Sequence, residues 1–163
     1  TLSMDLRLST LDTEITADYE ALDNIKSERY FFGGEADRYA LRENIKGNQL
    51  AKSPEFTANF GLKYDGELKS GTPLRATAEL IHRDDFQQRV FNSPFVDKVD
   101  SYTVLNFTTS LELSDSSGVD FMILNATDKD GMNSAMTDVF GVAGTGVELI
   151  PPRQFIVRLR KSY

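Results

Sequence analysis

The sequence predicts an all-β fold: an antiparallel segment of a transmembrane β-barrel, with about six strands. Three observations lead to this prediction. Apolar and polar residues alternate along six segments, as they do in strands with one apolar face. The connections between these segments alternate between long and short. The longest uninterrupted apolar run, 121–124, is far shorter than the roughly 20 residues that a membrane-spanning helix needs.

The six alternating segments differ in length but share a period of two. The clearest one follows Pro54, where Phe56, Ala58, Phe60, Leu62 and Tyr64 alternate with polar residues or glycine. In the fifth segment, Met122 and Leu124 make the polar face less distinct. The predicted strands, in chain order, are 2–9, 56–65, 74–83, 102–113, 119–124 and 155–163.

The connections between these strands decide between a soluble domain and a barrel. In order they are Thr13–Ser53, Gly66–Thr72, Asp84–Ser101, Ser114–Gly118 and Thr127–Pro152. Structureless loops beyond about 12–15 residues are uncommon in compact soluble domains. Outer-membrane barrels, in contrast, have short turns on the periplasmic side and long loops outside. Because such barrels have at least about 8 strands, either two strands lie within Thr13–Ser53 or the chain is one wall of a larger barrel.

The composition excludes several classes of function. The chain has 163 residues with 18 Lys and Arg against 25 Asp and Glu, a net charge of −7, which disfavours non-specific binding to nucleic acid. It has no cysteine and a single histidine, His82, which we interpret as structural. The segment Asp128–Gly131 lacks the acids of a calcium loop at Ala126 and Thr137. We therefore predict no catalytic residues, no metal site and no cofactor.

Four motifs, in this order, resemble the C-terminal end of TonB-dependent outer-membrane receptors. They are Gly47–Pro54 before the second strand ("G-x-x-L-x-x-x-P"), Tyr102–Asn106 ("Y-x-x-x-N"), Asn125–Lys129 ("N-x-x-D-K") and Pro152–Phe155 ("P-R-x-F"). The chain departs from the family in having no Trp in the penultimate strand and Tyr163 where Phe is commoner. The resemblance covers roughly residues 47–163, and 1–46 fits only through the pattern of loop lengths.

The resemblance implies a fold and a function for the whole protein. Residues 1–163 would be the C-terminal part of a barrel of about 22 strands, with the plug domain and the TonB-contacting segment upstream. The absence of an initial Met agrees with a processed product or a piece of a longer chain. The protein would lie in the outer membrane of a Gram-negative bacterium. It would take up a scarce nutrient, most often a ferric siderophore or similar metal chelate, with energy supplied through TonB, and would not be an enzyme.

Three sets of residues are candidate sites under this interpretation. The assembly signal of the last strand comprises Phe155, Val157, Leu159 and Tyr163. The alternative interpretation is that these residues belong to the last strand of an ordinary β-sheet and carry no signal. An aromatic girdle at the membrane boundary comprises Tyr64, Tyr102, Phe155 and Tyr163, which in a soluble domain would be core residues. Candidate ligand-contacting residues of the extracellular loops are Tyr30, Phe31, Phe32, Tyr39, Phe91 and Phe95, with loop–loop packing as the alternative.

Charged side chains distinguish the two predicted faces of the strands. Lys161 falls on the lipid-facing side, near the interface. Six charged residues are predicted to face the lumen, towards water or the plug: Lys63, Asp65, Arg75, Glu79, Arg158 and Arg160.

Two alternatives from other classes stay open on the sequence alone. The chain would be a complete outer-membrane barrel of about eight strands, with a structural or adhesin role, if residues 28–40 held two more strands. It would be a soluble all-β carbohydrate-binding domain if Phe56, Phe60 and Leu62 faced a protein core.

Overall fold

A computed structural model of the chain describes residues 1–27, 41–137 and 144–162. A short helical turn covers 24–27. Among the described residues, no helix is long and apolar enough to cross a membrane. The described strands are β1 (Leu2–Thr10), β2 (Glu20–Leu22), β3 (Arg42–Asn44), β4 (Phe56–Glu67), β5 (Pro73–Arg83), β6 (Phe86–Gln87), β7 (Lys98–Val99), β8 (Tyr102–Ser114), β9 (Ser117–Leu124), β10 (Met132–Thr137), β11 (Thr145–Leu149) and β12 (Gln154–Lys161).

The six predicted segments form one antiparallel sheet. Its strand order is β1-β4-β5-β8-β9-β12, so each long strand pairs with the next long strand along the chain. In this up-and-down order, each connection joins two neighbouring antiparallel strands, and successive connections lie at opposite ends of the sheet. The all-β, antiparallel fold class is confirmed. The described sheet is open, with β1 and β12 at its edges.

One face of this sheet is apolar from edge to edge. Because side chains alternate between faces, the pairing register decides which residues share a face. One row across all six strands is Met4, Leu62, Ala78, Phe107, Ile123 and Phe155. The side chains at the edges of this face are strongly exposed, with Met4 72% and Leu159 80% accessible. We call it the outer face.

The opposite face, which we call the inner face, carries the charged residues. A row through Asp65, Arg75, Ser110, Asp120 and Arg158 crosses five strands. The six charged residues predicted to face the lumen all lie on this face, as the register requires. The alternation read from the sequence therefore matches the two faces of the sheet.

The short connections are tight turns at one end of the sheet. In the turn 68–72, the backbone N–H of Leu68 donates to Thr72 O at 2.9 Å, and Gly71 has a φ of +81°. That left-handed backbone favours glycine. Next to this turn, a Cβ atom added to Gly66 would come within 2.8 Å of Tyr64 Cε1, so the Tyr64 ring lies across the glycine.

The long connections contain structure that the period-two analysis did not predict. Their described residues include three two-stranded antiparallel ribbons: β2–β3 in the first, β6–β7 in the second and β10–β11 in the third. The strands that the eight-stranded alternative needs fall at 28–40, outside the described residues.

Candidate functional site

The three long connections meet at the end of the sheet opposite the tight turns. We call their described residues the loop layer: 11–27, 41–55, 84–101, 125–137 and 144–153. Most of the buried apolar side chains of the described chain lie in this layer, among them Ile25, Ile45, Phe86 and Val99. The loops are therefore packed against one another, which makes their surface a candidate site for recognising a ligand.

A buried ion cluster joins the first and second connections. Arg89 Nη1 lies 2.7 Å from Asp23 Oδ1, and Arg89 Nε lies 2.5 Å from Asp97 Oδ1. Asp97 is fully buried, and its other carboxylate oxygen accepts a hydrogen bond from the Ser93 N–H at 2.8 Å. Arg89 Nη1 also donates to Asn24 Oδ1 at 3.2 Å. One guanidinium thus bridges segments 66 residues apart.

The environment of Arg89 keeps its guanidinium charged. Burial acts to lower the pKa of the guanidinium, but hydrogen bonds to Asp97 and Asp23 outweigh it, and the pKa of Arg89 is raised. Arg89 therefore carries its charge throughout the physiological pH range. Removing one partner of a buried ion pair leaves the other charge uncompensated, which costs about 3–5 kcal/mol.

A cluster of apolar side chains joins the second and third connections. Phe86, Val99 and Ala135 form a buried cluster, and Met132 packs against it. Beside it, Arg83 donates hydrogen bonds to Asn133 O at 2.8 Å and to Met132 O at 2.5 Å. The ribbon β10–β11 is therefore fixed against the ribbon β6–β7.

Arg83 also explains the position of Tyr102. The Arg83 guanidinium carbon lies 4.5 Å from the centre of the Tyr102 ring and 4.6 Å from that of Phe86, within cation–π distance. Tyr102 pairs with Arg83 in the register and lies on the face opposite Leu105 and Phe107. Tyr102 thus lies at the start of β8, as predicted, but on the inner face of the sheet, and its role in an aromatic girdle stays a prediction.

The other predicted girdle and assembly residues keep the expected side of the sheet. Tyr64 pairs with Ala76 on the outer face, near the tight turns. Phe155 and Val157 pair with Ile123 and Phe121, also on the outer face. Tyr163 lies outside the described residues. The roles of these side chains as girdle and assembly signal stay predictions.

Two of the six candidate ligand-contacting aromatics lie within the described residues. Phe95 is 92% exposed and lies at a groove of about 220 Å³ between the second connection and β10–β11, lined also by Gln88, Val96, Lys98 and Val147. The ring of Phe91 is half-buried, with the Arg89 guanidinium carbon 5.0 Å from its centre. Phe91 therefore fits loop packing, whereas Phe95 is free to contact a ligand. Tyr30, Phe31, Phe32 and Tyr39 lie outside the described residues.

The inner face carries two ion clusters near the tight turns. Asp65 lies 2.7 Å from Arg75 and 3.0 Å from Lys63, while Arg160 lies 2.7 Å from Glu112 and 3.2 Å from Asp120. Gly118 makes room for the second cluster, since an added Cβ would lie 2.6 Å from Arg160 Nη2. In the part of the chain that the structure describes, no group of three acidic or histidine side chains is arranged to hold a metal.

Sequence reasoning missed the residues that hold the loop layer together. Arg83 and Arg89 are single charges with no periodic signal, and their partners on other connections, Asn133 and Asp23, lie 50 and 66 residues away. Asn125 and Arg153 belong to the N-x-x-D-K and P-R-x-F motifs, but the spacing of these motifs does not predict the contacts that the two residues make. Asp97 could not be recognised as part of a buried ion pair, because the sequence does not show that this side chain is buried.

Comparisons with solved structures show which known fold this chain resembles. No protein-family model matches the chain, and no curated protein sequence matches it. The structure is similar to that of the siderophore receptor PiuA from Acinetobacter baumannii, with a TM-score of 0.72 and 16% identity over 99% of this chain and 20% of that one. It is also similar to the ferric yersiniabactin uptake receptor FyuA from Yersinia pestis, with a TM-score of 0.63 and 12% identity over 75% of this chain and 18% of that one.

The fold of the chain is therefore similar to that of a β-barrel segment of these two receptors. The chain spans about a fifth of the length of the two siderophore receptors. Its six-stranded sheet and long connections correspond to part of such a barrel, as the sequence resemblance implied.

Proposed function

We propose that residues 1–163 are the C-terminal part of the barrel of a TonB-dependent receptor in the outer membrane of a Gram-negative bacterium. The whole protein takes up a scarce nutrient, and a ferric siderophore or similar metal chelate fits best. The observation that carries the proposal is the apolar outer face, which is continuous across all six strands and strongly exposed at its edges. A contiguous apolar surface of this extent needs a cover, and lipid covers a barrel wall.

The two faces and the loop layer take different roles in this proposal. The outer face contacts the lipid bilayer, with Tyr64 and Phe155 at its boundaries. The inner face, with its ion clusters around Asp65 and Arg160, faces water and the plug domain of the same polypeptide. Phe155, Val157, Leu159 and Tyr163 form the assembly signal. TonB contacts an upstream segment, and the chain itself performs no catalysis.

The packing of the loops supports a binding role at the cell surface. Ordering flexible loops on binding reduces affinity, so a surface that is already ordered binds a dilute ligand more tightly. The Arg89 cluster and the Phe86 cluster provide such order before any ligand arrives. The exposed ring of Phe95 then offers apolar contact area at the groove.

Fractionation and uptake measurements test the proposal. We expect the native polypeptide in the outer-membrane fraction, with a mass several times the 18.3 kDa of this chain. Cells lacking the gene should lose uptake of at least one radiolabelled ferric chelate, and a proton uncoupler should abolish the same uptake in the parent. Uptake of cobalamin, haem and an oligosaccharide, measured in parallel, distinguishes the other nutrient classes. A polypeptide in the soluble fraction would contradict the proposal.

A further inference from the structure

The third long connection, 125–153, poses a problem of register between β9 and β12. In a tight hairpin, turn geometry fixes which residues pair. A flexible connection of this length holds its ends together only weakly and cannot select one register by its length. Even so, β12 pairs with β9 without a bulge over the whole of its length, from Gln154–Leu124 to Lys161–Ser117. Besides the apolar alternation of the strands, a contact at the junction of the connection with β9 and β12 can select this pairing.

Asn125, the first residue after β9, makes contacts of the required kind. It is 5% exposed, and its Oδ1 accepts a hydrogen bond from the Lys129 N–H at 2.9 Å. Its Nδ2 donates to Lys129 O at 2.9 Å and to Pro151 O at 3.1 Å. Its backbone N–H donates to Asn106 Oδ1 at 2.9 Å. One residue thus connects the end of β9 with β8 and with the segment that leads into β12.

A second pair closes the same junction. The Arg153 backbone N–H donates to Asp128 Oδ1 at 3.0 Å, and Arg153 Nη2 lies 3.3 Å from Asp128 Oδ2. Asn125 has a φ of 48° and Asp128 a φ of 52°, a left-handed conformation that Asn and Asp adopt more readily than most residues. We call Asn125, Asp128, Lys129, Pro151 and Arg153 the junction clasp.

We propose that the junction clasp sets the register of β12 on β9, with Asn125 as its positioning residue. The amide side chain is required because it accepts one hydrogen bond and donates two, and a carboxylate cannot donate. A slip of one residue would move Phe155, Val157 and Leu159 to the inner face and Arg158 to the outer face. The clasp therefore keeps the apolar side of the last strand on the lipid side.

The proposal also separates the loop from the junction. The Ile150 backbone N–H donates to Gly131 O at 3.0 Å, which closes the neck of the connection just above the clasp. The segment 132–149, of which the structure describes 132–137 and 144–149, follows this neck along the chain. Its sequence and length are then free to vary without changing the pairing of β9 with β12.

Crosslinking of introduced cysteines in the full-length polypeptide, assembled in its native membrane, reads the register directly. Phe121 and Val157 are partners on the outer face, so the pair F121C/V157C reports the native register. In the native register Arg158 lies on the other face, so F121C/R158C reports a slip of one residue. A short bis-maleimide reagent should link only the first pair in the parent protein. This chain has no cysteine of its own to interfere.

Asn125→Ala should lower the yield of the 121–157 crosslink at least threefold and raise that of 121–158. Asn125→Asp should behave like Asn125→Ala. Asn59→Ala is the matched control, because Asn59 donates one side-chain hydrogen bond, to Glu79 at 3.0 Å, from within β4; it should leave both yields unchanged. An unchanged 121–157 yield in Asn125→Ala would overturn the proposal.

A second variant decides the question if Asn125→Ala does not assemble. Residues 132–149 are replaced by a short Gly-Ser linker, which leaves the clasp intact. The 121–157 crosslink should keep its parental yield, and a shift to 121–158 would show that the loop selects the register. Because neither readout depends on the nutrient, failure here leaves the proposed function to its own test by fractionation and uptake.

Discussion

The sheet and the loop layer of this chain reverse the usual distribution of burial. In a soluble domain the strands bury their apolar face and the loops are exposed. Here the outer face of the sheet is exposed, whereas Phe86, Val99 and Asp97 in the connecting segments are buried. The sheet therefore depends on backbone pairing and on whatever covers its apolar face. The loop layer, in contrast, has a small core and ion pairs of its own.

The sharpest test of this contrast is Arg89→Ala. The change leaves Asp97 and Asp23 buried without their cation, and we expect it to destabilise the loop layer by about 3–5 kcal/mol. The hydrogen-bond partners of Arg89, which are Asp23, Asn24 and Asp97, belong to the loop layer, so the sheet should keep its stability. Hydrogen exchange should rise in 84–101 and stay unchanged in β4 and β5.

Arg42→Ala is the matched control for that experiment, since Arg42 belongs to the same loop layer but is exposed. Its hydrogen exchange should match the parent within error. If Arg89→Ala raised exchange in β4 and β5 as well, sheet and loop layer would be one cooperative unit and the contrast would fail.

A smaller effect is expected from arginine on the outer face of β8. Phe107 lies between Ala78 and Ile123 near the middle of that strand. Phe107→Arg should destabilise the protein in lipid by about 2–4 kcal/mol, because a charge at mid-membrane must be desolvated. Urea unfolding of the full-length polypeptide in vesicles measures this loss.

The neighbouring residue supplies the control for the outer face. Thr108 lies on the inner face, opposite Thr77 and Met122, so Thr108→Arg should cost less than about 1 kcal/mol. Equal losses for the two variants would mean that the outer face does not contact lipid. The test therefore compares the losses of unfolding free energy in Phe107→Arg and Thr108→Arg, and does not depend on either value alone.

The sheet could be predicted from sequence because its signal is local. Strands of 8–13 residues repeat a period of two often enough to be seen, and this period predicts which residues share a face of the sheet. The ribbon β6–β7 could not be predicted from the period of two, since its strands have two residues each.

The loop layer could not be predicted because its signal is not local. Arg89 and Asp23 are 66 residues apart, and neither is unusual in a polar loop. Their burial emerges only after the connections pack together. Asn125 is an intermediate case, since its contacts to Lys129 are local but those to Asn106 and Pro151 are not.

The smallest effect on stability, and the most direct test of function, is expected from Phe95→Ala. A side chain that is 92% exposed loses almost no packing when truncated, so the stability of the loop layer should stay within about 0.5 kcal/mol of the parent. If the groove between Phe95 and Val147 binds the ferric chelate that is taken up, loss of the ring should weaken its binding about tenfold, which is about 1.4 kcal/mol. Titration of the full-length receptor with that chelate measures the change.

Met136→Ala is the matched control, because Met136 is 79% exposed and adjoins the groove residue Ala135 but does not line the groove. Unchanged binding in Phe95→Ala would assign the ring no part in recognition and would move the contact surface to the remaining loop aromatics.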